Sequence, residues 1–264
     1  MILLSFDIEE FDLPLEYGQY LVLKDQLAIS TKGTYLILEL LSELALKATF
    51  YCTANYAKYY PEVIKKIITE GHELASHGVE HSNFKKEHLK QSKEILEQIS
   101  GVKIFGFRMP RLAEVDSHWI QDAGYKYNSS LNPTWLPGRY NHFNKSRTFY
   151  RSGDLIQVPV SVSPVFRIPL FWLSFHHFPL YLLKYLSNWT YSRDNYVHLY
   201  FHPWEFIDLR SNPSLDLLPN YITRRSGIEL YRILKNYLIW IKSKNFELVN
   251  TKDFLQNTFK EKWI

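Results

Sequence analysis

The sequence predicts an α/β fold on a parallel sheet, open or closed into a barrel, and three observations carry that reading. Short apolar runs alternate with stretches of helical period along the chain. Several of the runs are continuous rather than alternating, the pattern of strands buried on both faces. Asp7, Glu9, His77, Arg108, Asn128 and His202 each lie just after a predicted strand, the rim where barrel enzymes keep their chemistry.

Taken in order, residues 2–6 form the first buried strand. Residues 33–46 place Leu36, Leu40, Leu41 and Leu44 on one helical face. Residues 48–52 are the next strand, followed by a helix over 61–70 with Pro61 in its first turn and Gly71 as its stop. A short strand over 73–76 delivers His77. A helix over 86–100, a strand over 104–108, a helix over 117–123 and strands over 125–128 and 155–160 follow. The scheme repeats late in the chain with a strand over 197–201 ending at His202, a long amphipathic helix over 227–244 and a last strand over 247–250.

At 264 residues one domain spanning 1–264 is expected. Hydrophobic residues at 46% and charged residues at 22% describe a globular chain without a disordered tract. The aromatic share of 16% suits a protein that stacks on sugar rings or rests against lipid, and equally an aromatic core. The net charge of +4 is mild and the basic residues form no stripe, so no nucleic-acid partner is expected. A single cysteine, Cys52, excludes an intrachain disulfide. The opening residues 1–6 lack a basic region and reach Asp7 too soon for a signal peptide, so a cytoplasmic protein is expected.

Residues 164–186 are strongly apolar and aromatic, but Arg167, three prolines and His176–His177 argue against a membrane span. An insertion packed over the barrel mouth is expected first. A segment resting on a bilayer, giving peripheral contact with the inner face of the membrane, comes second.

The chemistry concentrates in three places. His77 and His81 have the spacing that lets two imidazoles meet one metal ion, and Gly78 stands where a zinc protease helix would carry its glutamate. Asp7 and Glu9 point to one side of an extended strand and Glu10 to the other, so Glu9 is the favoured carboxylate ligand. Like charges this close need a cation or an arginine, and Arg108 and Arg111 are at hand. The third place is His202, in the run Tyr-Phe-His-Pro-Trp-Glu.

Five segments in this order resemble the polysaccharide deacetylase family (NodB-homology, carbohydrate esterase family 4). They are Ser5-Phe6-Asp7-Ile8-Glu9, Ser76 to His81, Phe107-Arg108-Met109-Pro110, Tyr127-Asn128-Ser129-Ser130 and Tyr200 to Glu205. The resemblance implies an irregular, TIM-like (β/α)7 barrel and a hydrolase that removes an acetyl group from an N-acetylated sugar in cell-surface polysaccharide metabolism. It implies one divalent metal ion on Glu9, His77 and His81, with zinc expected first and cobalt or nickel as alternatives. Asp7 would act as base, Arg108 would pair with it and His202 would protonate the leaving amine. Pro110, Asn128, Trp135 and Trp204 are candidate substrate-binding residues. The sugar is expected to be nucleotide- or lipid-linked. Two departures stand out: Ile8 occupies the usual second aspartate position, and Asn128 replaces an aspartate that would help orient the acid histidine. Two other readings stay open, a metal-independent C–N amide hydrolase of allantoinase or formamidase type and an inactive carbohydrate-binding protein.

Overall fold

The structure, a computed structural model, describes residues 1–138 and 140–263, Tyr140 by its backbone alone. Its strands are β1 (Ile2–Ile8), β2 (Thr49–Cys52), β3 (Glu73–Ser76), β4 (Gly106–Phe107), β5 (Tyr127–Asn128), β6 (Trp135–Leu136), β7 (Tyr140–Asn141), β8 (Tyr150–Ser152), β9 (Leu155–Gln157), β10 (Val197–Phe201) and β11 (Leu248–Val249). The helices are α1 (Leu23–Glu43), α2 (Ala54–Tyr59), α3 (Pro61–Thr69), α4 (Glu87–Ser100), α5 (Ser117–Asp122), α6 (Trp172–His177), α7 (Leu180–Asp194), α8 (Asn220–Thr223), α9 (Ile228–Ser243) and α10 (Thr251–Phe259).

The main sheet runs β10-β1-β2-β3-β4-β5-β9-β8, with β11 beside the start of β1. All its pairings are parallel except β8 with β9. Among the described residues β10 and β8 do not pair, so the sheet curls as a half-barrel without closing. The fold is the irregular (β/α) barrel of the NodB type that the five segments imply.

Strand alternation sorts the side chains. Ile2, Leu4, Phe6 and Ile8 of β1 join the large core beneath the helices, while Leu3 joins a second cluster inside the curl with Tyr51, Tyr127 and Ile156. Ser5 and Asp7 share the inner face with Leu3. In β10, Val197, Leu199 and Phe201 belong to the helix-side core, which turns His198, Tyr200 and then His202 inward. The registers Asp7↔Tyr51, Cys52↔Ser76 and Ser76↔Phe107 bring the strand ends to one rim.

Local chemistry sets the helix starts. Thr53 Oγ1 accepts from the Tyr56 N–H, Asp116 from His118 and Asn250 from Asp253. The helix expected over 33–46 begins ten residues earlier, at Leu23. Within it, Gly33 meets the turn after His202 backbone to backbone. A Cβ at this position would stand 1.9 Å from the Pro203 carbonyl oxygen, so no residue with a side chain fits without movement.

The segment 164–186 is only partly a cover. Leu170, Phe175, Leu183 and Leu186 are core residues, because α6 and α7 occupy the place of a crossover helix pair ahead of β10. Among the described residues no helix is long and apolar enough to cross a membrane.

Candidate active site

Arg108 is the buried centre of the rim. Its side chain is fully shielded, and each of its five N–H donors has a partner. Nη1 donates to Asp7 Oδ1 at 2.6 Å and to Ser5 Oγ at 3.0 Å. Nη2 donates to Ser129 Oγ at 2.9 Å and to His198 Nε2 at 3.2 Å, and Nε to the Ser129 carbonyl at 3.1 Å. The guanidinium lies 3.9 Å from the Tyr51 ring centre and 5.2 Å from that of Tyr200. Burial and the positive Arg108 hold His198 well below the ordinary imidazole range. A neutral His198 is what the geometry requires, since its Nε2 accepts from a cation.

Glu9, His77 and His81 converge beside Asp7. Their ligand atoms lie within 4.8 Å of one another and all three residues are buried. His77 Nε2 is 3.2 Å and His81 Nε2 3.0 Å from Glu9 Oε2. Each imidazole is oriented from behind. His77 Nδ1 faces the Arg108 carbonyl at 2.9 Å and His81 Nδ1 faces Asp12 Oδ1 at 2.6 Å. A carbonyl can only accept, so His77 donates from Nδ1 to Arg108, and Nε2, turned to Glu9, is the atom available to a metal ion. Gly78, at φ +85°, makes the turn that lets the two rings converge.

The charges fit a cation. Burial pushes the Glu9 carboxyl up, yet His81, His202 and His77 together hold it well below the usual range. Burial likewise opposes charge on His81, and Glu9 and Asp12 overcome it, raising the group to about 10. A site that draws a proton so strongly is a site of negative potential. One carboxylate oxygen and two imidazole nitrogens form the donor set of a catalytic metal with open positions. Glu10 is a brace instead. It accepts from Asn55 at 2.7 Å and from the His81 main-chain N–H at 3.1 Å.

His202 faces the pair across a cavity of about 460 Å³ lined in part by Asp7, Glu9, His81, Tyr200, His202 and Trp204. Trp204 stacks on His202 at 4.9 Å, and its Nε1–H donates to Glu9 Oε1 at 3.1 Å. His202 Nδ1 is held by Glu205 Oε1 at 2.8 Å, which leaves Nε2 for a substrate.

Not all candidates gather here. Asn128 bonds Gln157 and Ser130 and lines a separate depression, so the aspartate missing at 128 is replaced in effect by Glu205. Pro110 packs by Gly78 and does not line the cavity, whereas Arg111 and Leu112 do. Trp135 is 61% exposed on the β6–β7 hairpin, and its neighbours Leu136 and Pro137 line the cavity in its place. His176 and His198, which belong to none of the five segments, buttress Glu205 and Arg108. His198 carried a signal, being four residues before His202 and on the same strand face. Asp12 carried none.

A curled parallel sheet thus carries acid, base and metal-type donors together at its C-terminal rim. The family model "Polysaccharide deacetylase" matches residues 20–128. The fold is similar to that of a probable polysaccharide deacetylase from Pseudomonas aeruginosa PAO1, at TM-score 0.66 and 14% identity over 98% of this chain and 91% of that one. It is also similar to the Puue allantoinase, at 0.65 and 14% over 96% and 87%. A third match is the Bc1960 peptidoglycan N-acetylglucosamine deacetylase, at 0.51 and 16% over 96% and 86%. At these identities the structural likeness is one of fold. The family match covers the first part of the chain, and both comparisons point the same way.

Proposed function

We propose that this protein is a metal-dependent hydrolase that removes the acetyl group from an N-acetylated sugar used in cell-surface polysaccharide. The observation that carries the reading is one cavity lined by the Arg108-bound Asp7, by Glu9 and His81 of the Glu9–His77–His81 cluster, and by the Glu205-held His202.

Glu9, His77 and His81 would hold one divalent ion, zinc by the softness of its two nitrogen donors. When bound, such an ion polarises an amide carbonyl and lowers the pKa of a bound water. Asp7, bound by the Arg108 guanidinium at 2.6 Å, takes a proton from the attacking water. His202 gives a proton from Nε2 to the leaving amine, whose expulsion is otherwise slow. Tyr200 and Trp204 line the cavity, and Trp204 packs between Phe11 and His202, which fixes the imidazole in place.

The Bc1960 structure is of an enzyme that acts on peptidoglycan N-acetylglucosamine, and an N-acetylated hexosamine is the substrate class proposed for this chain. The outer cavity wall is apolar, with Leu13, Leu112, Phe171, Trp172 and Ile222. That wall favours a lipid-linked sugar over a nucleotide-linked one, met at the inner face of the membrane.

The test is metal content and acetate release together. The purified protein is expected to bind about one divalent ion per chain and to release acetate from N-acetyl sugars. His77→Ala and Glu9→Ala are expected to lose both. Amide hydrolysis that survives metal removal would support allantoinase-type chemistry instead, and a protein that binds saccharide without turnover would support the inactive binding reading.

A further inference from the structure

We propose that a protruding aromatic face, formed by the loop at 163–168 and the outer side of α7, docks this protein on the surface of an anionic lipid bilayer. Docking of this kind is separate from deacetylation and uses none of its steps.

The face begins in local structure. The Ser163 N–H donates to the Ile168 carbonyl at 2.8 Å, the Ile168 N–H donates to Ser163 Oγ at 3.0 Å, and Val162 bridges Pro169. This closes a small loop whose tip turns outward. Val165 and Phe166 are 72% and 69% exposed, and Val165 and Arg167 sit at φ +66° and +56°. Left-handed backbone is unfavourable for a β-branched residue, and glycine or asparagine would make the same turn without strain. A valine held there in solvent contributes nothing to the core, so folding does not account for it.

The tip continues into α7. Phe166 packs against Trp189 with centroids 6.3 Å apart, and Trp189 packs against Tyr185 at 6.3 Å. Tyr181 lies one turn earlier on the same side. Both tyrosines are exposed. On the other flank Arg167 stands 5.3 Å from the ring centre of exposed Phe143. An apolar tip edged by tyrosine and tryptophan is the composition that settles at the headgroup level of a bilayer.

Charge selects the kind of lipid. Between Asp122 and Asp194 the only acidic residue is Asp154, against eight Lys or Arg. The rest of the chain holds more acids than bases. The basic residues form no stripe along the sequence; the asymmetry lies in where acids are missing. Lys145 and Arg193 are exposed, Arg193 one turn after Trp189, and Asp194 is already paired with Arg147. A surface with aromatics, lysine and arginine, and its nearest carboxylate already neutralised, complements anionic headgroups. The chain leaving the loop runs directly into Phe171, Trp172 and Leu173, which line the cavity.

The experiment is co-sedimentation of the whole protein with vesicles of phosphatidylcholine, with and without phosphatidylglycerol. Wild type is expected to sediment with the phosphatidylglycerol vesicles and to be released by salt. The double variants Val165→Ser/Phe166→Ser and Tyr181→Ser/Tyr185→Ser are each expected to bind about tenfold more weakly, with unchanged circular dichroism and metal content. Wild type that binds neither vesicle, or variants that bind as wild type does, would overturn the proposal. So would a wild-type dimer in sedimentation velocity that both variants dissolve, since the face would then serve self-association. Vesicle binding is read without substrate, so this result and the deacetylation result can fail separately.

Discussion

Glu205 holds His202 by both its backbone and its ring. The same Oε1 accepts from the His202 main-chain N–H at 2.6 Å and faces ring Nδ1 at 2.8 Å, while Oε2 faces His176 Nε2 at 3.2 Å. The carboxylate is completely buried and its partners fix the ring that closes one side of the cavity.

Glu205→Gln is therefore expected to lower kcat about 100-fold while changing KM little. Burial opposes charge on His202, and Glu9 and Glu205 nonetheless raise its pKa. With the Glu205 charge gone, the alkaline limb of the pH–rate profile should move to lower pH, because the reaction needs His202 protonated. Steady-state kinetics across pH, with circular dichroism to show a retained fold, checks this. An unmoved limb would remove Glu205 from the proton-donor's support.

Arg108→Met should destabilise the protein by about 3–5 kcal/mol, since it leaves the Asp7 carboxylate buried without its counter-charge. Urea unfolding measures it. The paired change Arg108→Met with Asp7→Leu should recover part of that loss while abolishing acetate release.

Asp12→Asn should weaken zinc binding about 10- to 100-fold without removing a ligand, because it takes the carboxylate from behind His81. Competition with a chromophoric chelator reads the affinity. Glu80→Gln, inside the same segment but outside the Glu9–His77–His81 group, is the control and should bind as wild type.

Stability should fall as the solution is acidified from neutrality toward pH 4. Burial, helped by Lys47 and opposed by Glu70, lowers His72 to about 4, and its Nδ1 accepts from the Ala48 N–H at the start of β2. The unfolded chain takes up a proton near pH 6.5 while the folded one resists until about 4. The contribution is thus complete above the unfolded value and lost as pH drops through that window. Buried His198 acts in the same direction. Denaturation midpoints for wild type and His72→Gln at several pH values test this, with a shallower acid slope expected in the variant.

What the sequence made legible was whatever repeats locally. Continuous apolar runs located β1, β2, β3 and β10, and the residues just beyond them are those that meet at the rim. α7 was missed because Leu180, Leu182, Leu183, Tyr185 and Leu186 give no clean apolar stripe: one side packs in the core and the other faces out with Tyr181 and Tyr185. α10 was missed although Asn250 carries its capping signal. The supports of the site escaped for a different reason. Asp12 meets His81 across 69 residues and His198 meets Arg108 across 90, and no spacing rule spans such distances. Trp135 misled because an aromatic between prolines reads the same whether it lines a cavity or stands in solvent.

The contact of Gly33 with Pro203 makes α1 a gauge block for the far side of the cavity. Where side chains separate two elements, repacking can absorb a substitution and the gap drifts by fractions of an ångström. Here main chain rests on main chain, so the seating depth of the turn after His202 is set by peptide geometry and not by residue choice. At the exposed positions of α1, such as Lys24, Lys32 and Glu39, the sequence is free to trade stability for solubility or expression, and the reach of His202 into the cavity stays the same.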